Sequence, residues 1–238
     1  MSDELAQALV TVLGAEGTDL GALGRAWARL APTVTLVPVF GLKATPATMR
    51  AALGLLLAAS LAPAWSGPSP AAGPWVTELA REAARGVPLA IGAAVPIWTA
   101  LAAGGAIEAV RGGGEGTSLP VFEGKAGPVA VLWGLLACLG FLTTGGPARV
   151  ALAALDPVGA DQVITAALSL AAGTQIAVAV AAPILAGAAL IEVGLALVAR
   201  AATPASLQPV LSLVKGALML ALVALFFDRM AALVLRMV

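Results

Sequence analysis

Residues 162–191 read QVITAALSLAAGTQIAVAVAAPILAGAALI, thirty positions without one charged side chain. About 20 consecutive apolar residues are enough to cross a bilayer core as a helix, so this run is longer than one ordinary span. Five further apolar stretches lie at 30–42, 51–65, 86–107, 126–148 and 217–227. The whole chain of 238 residues is 60% hydrophobic, with a mean hydropathy of +0.99. Only 11% of its residues are charged, against roughly 25% in an average soluble domain. The expected fold is all-α: hydrophobic membrane-type helices in bent hairpins, forming one domain over residues 1–238.

Proline positions divide these stretches. Pro32 and Pro38 interrupt the first, and Pro63 with the turn at 66–70 closes the second, leaving both too short for straightforward independent spans. Pro96 interrupts the third. Pro183 removes a helical hydrogen bond from the longest run and predicts two helices, 161–182 and 184–200. Pro204 and Pro209 mark a connection to a last helix at about 210–237. Glycines such as Gly54, Gly92, Gly104, Gly105, Gly187 and Gly194 offer sites where helix backbones approach closely, the packing device that lipid favours.

Charges in such a setting are expensive and merit individual reading. Arg50 sits just inside the second stretch. Glu108 and Arg111 close the third at a spacing that permits an ion pair on one helical face. Glu192 and Lys215 interrupt otherwise apolar helices. Each either snorkels or pairs at an interface, or faces a polar cavity or a partner. Residues 78–85, with Glu78, Arg81, Glu82 and Arg85, read as a short amphipathic lead at an interface. Between the third and fourth stretches lies a Gly-rich polar loop, RGGGEGTSLPVFEGK, residues 111–125.

Much chemistry is excluded. There is no His, and Cys138 is the single cysteine, so a Ser-His-Asp triad, an internal disulfide and a thiolate metal cluster are all ruled out. A buried, inert thiol is expected for Cys138. No P-loop pattern follows the glycines at 112–114, since the Lys and Ser/Thr are missing. Asp156 and Asp161 read as helix-capping and turn residues. Thirteen basic and thirteen acidic residues cancel, which gives no general attraction to nucleic acid. Residues 1–18 carry Asp3, Glu4 and Glu16 and no basic residue, unlike a cleavable signal.

The order of features resembles the FliR/SctT family of type III secretion export-apparatus proteins. Four passages carry the likeness. Arg25 and Arg29 precede Val37-Pro38-Val39-Phe40-Gly41, then Pro46, Arg50 and an apolar run to Pro63. Glu82 precedes Gly86, Ile91-Gly92, Trp98, Ala103-Gly104 and Ile107, closing at Arg111-Gly112. The fourth stretch ends in Phe141-Leu142 and Gly145-Gly146. Ala182-Pro183 leads to Ala199-Arg200, Pro204 and a terminal helix bearing Lys215. The resemblance implies a structural channel subunit of the export gate in the bacterial inner membrane, multi-pass, without catalysis, cofactor or metal. It implies partners similar to FliP/SctR, FliQ/SctS and the switch protein FlhB/SctU, with one copy of this subunit closing their ring, and unfolded polypeptides as cargo. Its bent hairpins are expected to lie lifted toward the periplasmic side of that membrane.

The same resemblance maps a pore-plugging loop onto residues 112–128. Gly112, Gly113, Gly114, Glu115, Gly116, Leu119, Val121 and Phe122 are its expected gating residues. Arg25, Arg50, Glu108, Arg111, Glu192 and Lys215 are its intramembrane or interface charges. Family loops carry more apolar and aromatic residues and an Asp-Pro pair, so this glycine-rich version should seal more loosely. Two other classes remain open. A small permease subunit would place a solute site at helices broken by Pro96 and Pro183. A membrane enzyme would need Glu108, Asp156, Asp161 or Glu192 for turnover.

Overall fold

A computed structural model of the chain describes residues 19–40, 45–65, 74–111, 127–156, 159–201 and 208–235. Of the expected gating loop at 112–128, residues 112–126 therefore lie outside the described residues. Among them there are seven α-helices and no strand: α1 Leu20–Leu36, α2 Ala47–Leu61, α3 Trp75–Arg111, α4 Pro128–Thr143, α5 Gly146–Ala153, α6 Ala160–Ala201 and α7 Gln208–Leu235. A single 3-10 turn, Ala62–Ala64, extends α2.

Several boundaries differ from expectation. The first helix runs ten residues earlier than its apolar stretch. Asp19 starts it, accepting from Gly21 N–H at 2.8 Å, and Val37 ends it in an extended conformation, as the residue before a proline favours. Hydropathy misses the first half because Arg25 and Arg29 are buried inside the fold. With its 3-10 turn, α2 gives the segment Ala47–Ala64, which is long and apolar enough to cross a membrane after all. Residues 78–85 form no separate lead; they are early turns of α3, and Glu82 is buried.

Pro183 does not divide α6, which runs unbroken for 42 residues. α3 likewise continues through Pro88 and Pro96. A proline forfeits one helical bond, whereas a break in an apolar medium would strand several backbone groups, so continuation is the lesser loss. The breaks required by a permease-type midplane site are thus missing from both helices. A true bend, of 66°, separates α4 from α5. It turns on Gly145, whose φ of +75° is left-handed and suits a residue without Cβ.

The chain packs as two compact units. The first comprises residues up to Val95 together with Phe141–Leu170. Leu23, Ala26 and Leu30 of α1, Ala58 and Leu61 of α2, and Ala151 of α5 form its core, with Leu57, Leu89 and Leu155 packed around it. Phe40 meets the edge of Phe141, ring centroids 6.4 Å apart.

The second unit comprises Pro96–Gly140 and Ala171–Val238. Trp133 of α4 is fully buried against Phe227 of α7, 5.3 Å between centroids. Two of the expected close approaches occur here: a Cβ on Gly104 would lie 2.5 Å from Ala130 Cα, and one on Gly187 would lie 2.7 Å from the Leu222 side chain. Gly92, Gly105 and Gly194 face open space instead. Outward-facing apolar side chains are abundant; Leu190, Leu213 and Leu225 are each 75% exposed. Such faces belong against lipid or other helices.

Candidate functional site

In the first unit the charges converge on Arg29. Its Nε donates to Glu82 Oε2 at 2.8 Å, and its Nη2 lies 2.5 Å from the same oxygen. Its Nη1 donates to the backbone carbonyls of Ala154 at 2.8 Å and Asp156 at 3.3 Å. Those carbonyls follow the C-terminal end of α5, where acceptors lack helical partners and the helix dipole favours a cation. The guanidinium also stacks over the Trp65 ring, 4.6 Å from its centroid. Glu82 is shared with Arg85 one turn along α3, at 2.5 Å. One side chain from α1 thereby joins α3, the end of α5 and the residue after the 3-10 turn.

This cluster is possible because α1 and α3 cross almost backbone to backbone. A Cβ on Gly86 would overlap the Arg29 carbonyl oxygen and lie 2.9 Å from its carbon. Arg25, one turn before Arg29, is also buried, with Nε and Nη1 lacking hydrogen-bond partners and Nη2 3.8 Å from Asp19. Arg50 has its Nε buried without a partner.

The expected site residues of the second unit fall into two places. Glu108 does not simply reach along its own helix: its Oε2 accepts from Val129 N–H at 3.2 Å, 21 residues on. The side chain of Arg111 lies outside the described residues. Glu192 and Lys215 pair across α6 and α7, Nζ to Oε1 2.7 Å. Both side chains are partly exposed, 51% and 32%, so the pair is worth little to the fold in water. Substituting Glu192→Gln is expected to shift thermal unfolding in detergent by less than about 1 kcal/mol; a larger loss would mean that the pair is shielded.

Some expected roles change. Asp156 serves through its backbone carbonyl, which Arg29 uses, and Asp161 lies within the first turn of α6. Its carbonyl accepts from Thr165 Oγ1 at 2.7 Å. Cys138 is buried, as expected. Among the described residues no group of three or more His, Cys, Asp or Glu side chains could hold a metal. The Arg29–Glu82 centre itself was not singled out as a site from sequence. The available signal was Glu82 four residues before Gly86 on the lead into a long apolar helix, and two arginines one turn apart on the first.

The profile of the bacterial export proteins, family 1, matches residues 20–238. The chain belongs to this family. It is a FliR/SctT-type subunit of the type III export apparatus, a membrane protein of protein transport. No relative among curated proteins matches the sequence. The matched region starts at the first residue of α1 and contains Arg29, Glu82 and Glu108. As an export-apparatus component it belongs to a family of structural proteins and to no known enzyme family.

Proposed function

We propose that this export protein is a channel subunit of the type III secretion gate in the bacterial inner membrane. In this reading residues 1–238 act as one multi-pass export-gate domain that closes a ring with FliP/SctR-like and FliQ/SctS-like subunits. It contacts an FlhB/SctU-like switch protein and lets unfolded polypeptides pass, without performing catalysis. The supporting observation is the length of its helices beside their exposed apolar faces. At about 1.5 Å per residue, the 37 residues of α3 and 42 of α6 have contour lengths near ~56 and ~63 Å. A bilayer core is only about 30 Å thick. Helices so long, with exposed apolar side chains such as Val76 and Val87 on α3 and Leu168, Leu190 and Leu197 on α6, suit burial against neighbouring subunits as much as against lipid.

Extraction of the chain from its native membrane in mild detergent, with mass spectrometry of the captured proteins, tests this. Recovery of FliP/SctR-like and FliQ/SctS-like subunits in one large complex is the expected result. A lone monomer or homodimer would remove the reading.

Residues 112–128 supply the pore plug in this proposal, with Leu119, Val121 and Phe122 as its apolar contacts. Bulky or charged substitutions at 112–122 should then change ion leakage or secretion while the amount of assembled complex stays constant. Unchanged leakage and secretion would leave that segment without a gating role.

A further inference from the structure

Helix α4 begins without a side-chain cap of its own. Gly127 occupies the N-cap position, its carbonyl accepting from Val131 N–H at 3.1 Å. Glycine has no side-chain oxygen to offer the next free donors. Pro128, the first helical residue, has no N–H at all. The first donor of the helix is therefore Val129, and Glu108 takes it.

Glu108 stands in the last turn of α3, where the dipole of its own helix disfavours a carboxylate. At the start of α4 the dipole favours one. Its position makes physical sense as a cap for the following helix, supplied from the preceding one. Gly127 makes the approach possible: a Cβ there would run into Glu108 Cγ and lie 2.6 Å from Cδ. One turn back on the same face of α3, Gly104 brings the two backbones together at Ala130. The helices thus meet at two successive turns, one by glycine contact and one by a carboxylate.

We propose that Glu108 is a positioning residue that pins the end of α3 to the start of α4. It thereby sets where the chain leaves and re-enters around residues 112–126. The pin stands on described residues; its effect on transport rests on the proposed pore role of 112–128. Loss of one side-chain cap should raise the population in which the end of α3 has separated from the start of α4 about fivefold.

The test uses the full chain in its native membrane assembly, with spin labels at Ala109→Cys and Leu132→Cys in a Cys138→Ala background. Both labelled positions are exposed. Glu108→Ala should broaden the distance distribution between the labels, and Gly127→Ala should do the same by displacing the carboxylate. Glu108→Gln keeps an acceptor oxygen and should stay close to the parent. Adding Gly127→Ala to Glu108→Ala should do no further harm, because the space is already vacated; a general packing defect would instead add. Ion leakage is read on the same membranes and should rise with the broadening. A distribution left narrow by both Glu108→Ala and Gly127→Ala overturns the pin. Broadening without any change in leakage or secretion upholds the pin and removes the pore role of 112–128.

Discussion

Replacing Arg29 with alanine is expected to cost about 3–5 kcal/mol, the loss typical of breaking one side of a buried ion pair. Glu82 would remain buried beside Arg85 alone, and the carbonyls of Ala154 and Asp156 would lose their shared donor. Thermal unfolding of the purified complex and the steady-state amount of protein in membranes both report it. Arg29→Lys should recover only part of the loss, since an ammonium cannot serve carboxylate, carbonyls and ring with one planar fork. Glu82→Gln tests the same centre from α3 and should be milder, because an amide still accepts. An unfolding free energy within 1 kcal/mol of the parent for Arg29→Ala would mean that the cluster does not hold the first unit together.

A second large effect is expected at Gly86. Substitution by leucine drives a side chain into the backbone of Arg29, a neighbour that cannot rotate away. Overpacking of this kind costs about 1–3 kcal/mol, and more where backbones must separate. It should also disturb the Arg29–Glu82 geometry, so Gly86→Leu and Arg29→Ala should combine to less than their sum. Gly92, six residues along the same helix, faces open space. Gly92→Ala should be neutral or stabilise by up to about 1 kcal/mol through helix propensity. Equal losses at both positions would show that glycine serves α3 generally and that the crossing at Gly86 is unremarkable.

The helical class and most helix locations were legible because long uncharged runs admit few alternatives. α7 and the outer ends of α6 follow from composition, though the continuity of α6 does not. What escaped were features decided by partners distant in sequence. α1 looked short because its first half carries two arginines, and hydropathy cannot tell a buried, neutralised guanidinium from an exposed one. Pro183 and Pro96 signalled breaks by a rule tuned to water, where freed backbone groups find solvent. The spacing of Glu108 and Arg111 signalled a local ion pair, and it gave no sign that the carboxylate also takes a backbone donor beyond the Gly-rich segment. Gly127 followed by Pro128 was the available clue: a helix start with neither cap nor first donor needs an acceptor from elsewhere. The Gly-rich segment was conspicuous in composition, and its role remains the subject of the experiments above.

The contacts of Arg29 also bear on how the protein is made. Its carboxylate partner emerges 53 residues later, and the carbonyl of Asp156 127 residues later. At roughly 5–20 residues per second of synthesis, the guanidinium waits on the order of 6–25 s for its last partner. During that interval a helix carrying Arg29 without its carboxylate partner, and Arg25 beside it, is poorly suited to the bilayer interior. α1 is therefore expected to stay at the membrane surface or in the care of the insertion machinery until α5 has been synthesised, so that a helix made early is among the last to settle.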